Sequence, residues 1–232
     1  METTSALRRL HPRIFDSDWL VLSEMRPAIE RLAALVGAPG RVAIDLGCGT
    51  QPYRPLFDAH GVSYHGADFE HADIRIREDG RVEAADHSAD LVLSFQVLEH
   101  VRDVSRYLSE ALRLLRSDGW LILSTHGTWL YHPHPEDHRR WTRQGLLEEL
   151  AHNGFETTEC IPILGPLEWT TLVRLTCGYQ LCRRIPLAGA VLARLLALVM
   201  NARGRLERLI TPEWVRRDNA CVYVTLSRAA RP

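Results

Sequence analysis

The stretch Ile44-Asp45-Leu46-Gly47-Cys48-Gly49-Thr50 limits the architecture more than any other part of the chain. A short apolar run, residues 41–46, feeds directly into two glycines separated by one residue. Glycines at 47 and 49 let the backbone turn sharply and bring a ligand against bare amides, where a side chain would collide. A second apolar run, residues 62–67, ends on Asp68. At roughly twenty residues beyond such a loop, a carboxylate can accept hydrogen bonds from both hydroxyls of a ribose. Taken alone, the G-x-G pair is also compatible with a tight turn beside a structural aspartate. The missing third glycine, and the lack of a G-x-x-x-x-G-K-S/T loop, argue against dinucleotides and nucleoside triphosphates.

The rest of the chain continues the alternation of buried runs and helix-like segments. A helical segment over residues 18–36 is ended by Gly37-Ala38-Pro39-Gly40. Further strands are predicted at 74–77, 89–95, 120–125, 155–161 and 220–226. Between them lie an amphipathic helix at 104–115, closed by Ser117-Asp118-Gly119, and a helix at 144–153 stopped by Gly154. Thr142 fits the N-cap of the latter. This pattern predicts an α/β domain, a parallel sheet flanked by helices, and 232 residues suit one substantial core. The expected layout is an N-terminal helical segment (1–39), a ligand-binding core (40–164), a helical insertion (165–210) and the last strand (211–232).

The insertion is the anomaly, with long apolar stretches interrupted at Pro186. Beyond it, Arg194, Asn201, Arg205 and Arg208 fall within about 60° on a helical wheel. Val191, Leu192, Leu195, Leu196, Leu198 and Val199 occupy the opposite face. The expectation is a lid whose apolar face packs on the sheet or on a second copy in a homodimer. The competing expectation is an interfacial element touching a membrane or a lipid-linked acceptor.

Charge bears on that choice. The chain has 28 basic residues, all arginine, and 29 acidic ones, so its net charge predicts no nucleic-acid partner. Residues 1–100 are net −6, but residues 165–232 are net +7. Arginines suit phosphate and anionic headgroups because the planar guanidinium binds two oxygens at once. The most apolar stretch, residues 185–200, contains Arg194 and falls short of the roughly 20 residues that span a bilayer. METTSALRRLHPR lacks the apolar run of a secretory signal. The five cysteines are odd in number and form no C-x-x-C pair. The expected location is cytoplasmic, peripheral to the membrane if the insertion is interfacial.

Four motifs together carry a family resemblance. Residues 42–50, VAIDLGCGT, resemble motif I of class I S-adenosylmethionine-dependent methyltransferases, and residues 64–69, YHGADF, resemble their second motif. Residues 88–101, SADLVLSFQVLEHV, resemble the fourth-strand motif. Residues 112–123, LRLLRSDGWLIL, resemble the fifth-strand motif, with Ser-Asp in place of Pro-Gly. The segments GTQPYRPLF and PEDHRRWT are similar to a bacterial type-11-like methyltransferase group. The resemblance implies a Rossmann-like, doubly wound, mostly parallel sheet of seven strands, the last inserted antiparallel. It implies S-adenosylmethionine as cofactor and S-adenosylhomocysteine as product. Asp45 would face the methionine amino group, with Gly47, Cys48 and Gly49 beneath the methionine and ribose. Asp68 would take the ribose hydroxyls, Phe69 would lie beside adenine, and Phe95 and Gln96 would line the pocket near the sulfonium. Asp79, or else Asp73, would be the third-strand acid. The implied activity is methylation of a small-molecule, natural-product or glycan- or lipid-linked acceptor, foremost at oxygen. Alternatives are methylation at carbon or nitrogen, and a cofactor-binding module without turnover.

Eleven histidines include four in loops following the fourth and fifth strands: His100, His126, His132 and His134. Loops beyond the carboxyl ends of parallel strands form the ligand crevice. A neutral histidine there can take a proton from a hydroxyl as the methyl arrives. His132, His134 and His138 within seven residues raise a metal reading. Two prolines stiffen that segment, and in methyltransferases with an otherwise similar L-E-H segment a metal-assisting glutamate stands where this chain has Gln96, so no metal is expected. Asp137 and Arg140 are placed to pair and hold the loop.

Overall fold

The computed structural model describes residues 7–230. Residues 1–6, where the reading for a secretory signal begins, and residues 231–232 lie outside it. Helix α1 (Trp19–Val36) is followed by β1 (Val42–Leu46), the short α2 (Arg54–Asp58), β2 (Ser63–Asp68), β3 (Ile74–Arg75) and β4 (Ala89–Phe95). Then come α3 (Val104–Leu114), β5 (Leu115–His126), α4 (Arg143–His152) and β6 (Phe155–Ile163). Helices α5 (Pro166–Arg183), α6 (Gly189–Ile210) and α7 (Glu213–Asp218) precede β7 (Val222–Ala229).

The seven strands form one sheet in the order β3-β2-β1-β4-β5-β7-β6. Pairings from β3 through β5 are parallel, and β7 runs antiparallel to both β5 and β6. Side chains alternate across the sheet, as a pleated strand requires. Ala43, Leu91, Leu93, Ile122, Val222 and Val224 pack with α1 and α2. Ile44, Leu46, Val92, Leu121, Leu123 and Tyr223 pack on the other side with α3 and α4. The strand order reverses between β1 and β4, and ligands bind beyond the carboxyl ends of strands at such a switch point. The glycine loop leaves β1 and Gln96 follows β4 at that place.

Two expectations are corrected. Ser117-Asp118-Gly119 does not close α3; β5 begins at Leu115 and runs through these residues. Leu115 pairs with Ala89, Trp120 with Leu91, and a bulge absorbs the extra residues. Arg116 Nη1 holds the carboxylate of Asp90 at 2.8 Å to both oxygens, fixing the irregular start.

The second correction concerns α6. Its apolar arc does not pack on the sheet. The buried residues are Gly189, Ala193, Ala197, Asn201 and Gly204, so the helix buries its small-residue edge. A Cβ at Gly204 would lie 2.6 Å from a Leu20 methyl, which shows how closely α6 approaches α1. Asn201 Nδ2 donates to Ile14 O at 2.6 Å and Asp16 O at 2.9 Å. Arg205 and Arg208 both pair with Glu24 of α1. Asn201 and the small residues beside it thus face inward, Arg205 and Arg208 reach Glu24 from the rim, Arg194 stays exposed, and Val191, Leu192, Leu195 and Val199 lie outside while Leu196 and Leu198 are half-buried.

Candidate active site

The glycine loop is built on β1 and β2 together. Gly47 and Gly49 adopt φ of 70° and 49°, the left-handed region that favours glycine. A Cβ at Gly47 would meet Val97 at 2.8 Å, whereas among the described residues nothing stands within 4 Å of one at Gly49. The Gly47 and Cys48 amides donate to Ala67 O at 2.8 and 3.2 Å. Asp68 accepts from the Gly49 amide at 2.9 Å and from the Phe69 amide at 2.8 Å. The Phe69 ring is 60% exposed and free to lie against a planar ligand. Cys48 is buried, and burial, then Asp45 and Asp68, push its thiol up to about 12, so it stays protonated.

Asp45 is buried on β1, and its Oδ2 accepts the hydroxyl hydrogen of Tyr64 from β2. Its Oδ1 is buried, with no hydrogen-bond partner among the described residues. Burial pushes this carboxyl up to about 7, against the lowering effect of Tyr64 and with a further push from Asp68. An orphaned buried carboxylate oxygen is costly unless a donor arrives. Phe95 packs edge-on to Tyr53 with centroids 4.9 Å apart. Gln96 adopts φ 58°, its amide donating to Ser124 O at 3.0 Å and its side chain reaching Ser124 Oγ at 3.3 Å.

The four histidines singled out from sequence converge. His132 lies 5.8 Å from His100, 6.0 Å from His126 and 4.5 Å from His134, centroid to centroid. His100 Nδ1 is 2.5 Å from Glu136 O. A carbonyl only accepts, so Nδ1 carries the hydrogen and Nε2 keeps its lone pair. His126, at the end of β5, is 2% exposed, with Nδ1 3.0 Å from Glu99 Oε1 but off the N–H axis. Glu99 Oε2 accepts from Thr125 Oγ1 at 2.8 Å. Burial pushes Glu99 up and His126 down, and Arg140, His132 and His100 depress His126 further. The pair is therefore driven toward its uncharged forms. The His126 ring stacks on Trp129 at 4.8 Å, and Trp129 on Trp169 of α5 at 5.1 Å.

The loop bearing His132 and His134 is held by the anticipated pair. Arg140 binds both carboxylate oxygens of Asp137 at 2.5 and 2.6 Å, and Asp137 Oδ2 accepts from the His132 amide at 2.7 Å. The Arg140 hydrogen bond holds the Asp137 carboxyl well below the usual range. Thr142 Oγ1 accepts from the Gly145 amide at 3.1 Å, capping α4. Among the described residues, no three histidine, cysteine, aspartate or glutamate side chains form a group able to hold a metal ion.

Asp79 and Asp73 occupy different neighbourhoods. Asp79 caps the Arg81 amide at 3.0 Å and lies 3.4 Å from Arg106 of α3. Asp73 accepts from the Gly66 amide at 2.9 Å, in the strand beneath Cys48. Three functional partners escaped the sequence reading: Tyr64, Glu99 and Gly66. A Cβ at Gly66 would strike Gln51 and come within 2.6 Å of Cys48 Sγ. A glycine inside a strand signals such a close approach, whereas nothing local marks Tyr64 or Glu99.

Strand order, switch-point crevice, glycine loop and following acid define the fold of the class I methyltransferases. Residues 20–163 match the family described as "Methyltransferase domain", and the chain belongs to that family. A Mycolicibacterium smegmatis protein named as a probable S-adenosylmethionine-dependent methyltransferase is 28% identical over 142 residues. That match covers 53% of this chain and 55% of the relative, so the chain spans about half the relative's length. The fold resembles Burkholderia thailandensis 1,6-didemethyltoxoflavin-N1-methyltransferase, solved with its substrate and S-adenosylhomocysteine. The TM-score is 0.57 at 16% identity, over 90% of this chain and 79% of that one. It also resembles Haemonchus contortus phosphoethanolamine N-methyltransferase 2 in complex with S-adenosylmethionine. There the TM-score is 0.55 at 14% identity, over 98% and 60% of the chains. At such identities the likeness shows the fold, not the acceptor. S-adenosylmethionine is the cofactor of the family, and this cradle suits it, with an orphaned carboxylate oxygen at Asp45 and open space before Gly49.

Proposed function

We propose that the protein methylates a hydroxyl of a small-molecule, natural-product or glycan- or lipid-linked acceptor, using S-adenosylmethionine. Bound cofactor supplies a sulfonium methyl, an electrophile that needs chiefly alignment and a site shielded from water. Asp45 holds the methionine ammonium, Asp68 the ribose hydroxyls, and Phe69 flanks the adenine. Gly47, Cys48 and Gly49 form the floor, with Phe95 and Gln96 beside the reacting end. Asp73 takes the place of the third-strand acid, on its contact with Gly66 in the strand beneath Cys48.

The observation that carries the oxygen reading is the convergence of His100, His126, His132 and His134 beyond β4 and β5. His100 is the proton acceptor, because Glu136 O holds its Nδ1–H and leaves Nε2 free. His126, buried against Glu99, is a positioning residue acting through Trp129. His132 and His134 face the acceptor. The test is transfer of labelled methyl from S-adenosylmethionine to hydroxylated acceptors, soluble and lipid-linked. Loss of transfer in His100→Ala with intact cofactor affinity supports the reading. Full transfer to an amine or carbon acceptor in His100→Ala refutes the oxygen assignment. Tight S-adenosylhomocysteine binding with no transfer to any acceptor class would point to a module without turnover.

A further inference from the structure

On α6, Val191, Leu195, Val199, Leu206, Leu209 and Ile210 are each between 53% and 80% exposed. They fall within about 100° of helical arc, and no acidic residue shares it. This face is not a packing face left bare by chance, since α6 is already anchored to α1 through its opposite edge. At the apex of the α5–α6 hairpin, Leu187 is wholly exposed, and Leu181 and Ile185 accompany it. Arg183, Arg184 and Arg194 flank the apolar surface, exposed and without an ion pair among the described residues. The acids within residues 165–210 are Glu168, which is buried, and Glu207, which is engaged by Thr171 and Arg203.

We infer that the outer face of α6 and the apex of its hairpin dock this protein on an anionic lipid surface. No described helix is long and apolar enough to cross a membrane, and α6 carries its apolar residues along one side, the arrangement of a helix lying in the interface. Charge selects the occupant. A second copy would set unpaired arginines against arginines, and like charges juxtaposed across an interface are costly. An anionic headgroup layer neutralises them. The surface is joined to the candidate site through α5, whose Trp169 continues the stack of Trp129 on His126. Docking would therefore bring the site to acceptors held in or on the bilayer. This use of the surface rests on the methyl-transfer reading, whereas docking itself does not.

The test is sedimentation of the full chain with vesicles of mixed phosphatidylglycerol and phosphatidylcholine, against phosphatidylcholine alone, at low and high salt. Binding to the mixed vesicles that weakens with salt is expected. Arg183→Glu/Arg184→Glu/Arg194→Glu should lower affinity at least about tenfold, given the attraction each surface cation contributes. Leu195→Glu/Val199→Glu should abolish binding while leaving the melting temperature unchanged, since both side chains are exposed. Absence of sedimentation at low salt overturns the proposal. So does a wild-type dimer in solution that Leu195→Glu/Val199→Glu converts to monomer, which would assign the face to a second copy. S-adenosylhomocysteine affinity, measured without vesicles, reports separately on the methyl-transfer reading.

Discussion

Tyr64 on β2 donates its hydroxyl to Oδ2 of Asp45 on β1, and the other oxygen of that buried carboxylate has no partner among the described residues. The tyrosine satisfies half of the acid and holds it in one orientation. The other half stays available for a cationic ligand group.

The folded state raises the Asp45 carboxyl from 3.8 to about 7, so between those values it binds more protons than the unfolded chain. This group's contribution to stability therefore falls as pH rises through that window and stays lost above it. Asp45→Asn removes the penalty while retaining an acceptor for Tyr64. The melting temperature of the variant minus that of the wild type should grow from about pH 4 to 7 and then level, at a gain of up to about 4 kcal/mol or roughly 8–16 °C. The difference is the readout because His126, depressed by burial, acts in the opposite direction in the wild type. A difference that is flat with pH contradicts the assignment.

A ligand ammonium favours ionised Asp45 and lowers its pKa on binding. Affinity for S-adenosylmethionine should then strengthen as pH rises toward 7, with proton release seen by calorimetry in buffers of different ionisation enthalpy. In Asp45→Asn the affinity should be weaker and independent of pH across that range.

Asp68→Ala removes an acceptor shared by the Gly49 and Phe69 amides as well as the proposed ribose contact. A loss of about 100-fold in S-adenosylhomocysteine affinity is expected, from two charged hydrogen bonds of ordinary strength. Gly49→Ala is a cleaner steric probe than a change at Gly47, where Val97 already crowds the Cβ position. It should weaken binding, at a cost of about 1–2 kcal/mol in stability because alanine is strained at this φ of 49°. Unchanged affinity in both variants would refute the cradle.

His100→Ala should lower methyl transfer by about 100-fold or more, in the range for a lost general base, with cofactor affinity retained. Glu99→Gln should act more mildly, lowering kcat with KM little changed, because Glu99 acts through His126. Equal, complete loss in both would place Glu99 in the structure rather than in positioning.

Gly204→Val should destabilise by about 1–3 kcal/mol through collision with Leu20, whereas Val199→Ser on the outer face should be close to neutral. Thermal melts of the two variants check which edge of α6 is inside. A neutral Gly204→Val would mean that α6 does not sit against α1.

Local chemistry made much of this protein readable from its residues. β1 and β4 follow from short β-branched and leucine runs, the loop from glycines that alone tolerate its backbone, and α4 from a threonine cap. The place of Asp68 at the end of β2, beside the glycine loop, was legible because that spacing is a property of one β-α-β unit. The hairpin break near Pro186 was legible for the same local reason. The wheel of α6 separated a polar from an apolar arc but could not say that the edge turned inward would be Ala193, Ala197, Asn201 and Gly204. That was decided by backbone carbonyls of Ile14 and Asp16 waiting for Asn201, and by glycine and alanine permitting contact with α1. The same holds for Glu99 against His126, Tyr64 against Asp45, and Asp73 rather than Asp79 at the strand beneath Cys48. Each joins segments brought together only by strand order and loop path, and hydrophobic periodicity, a property of a few neighbouring residues, carries no record of such meetings.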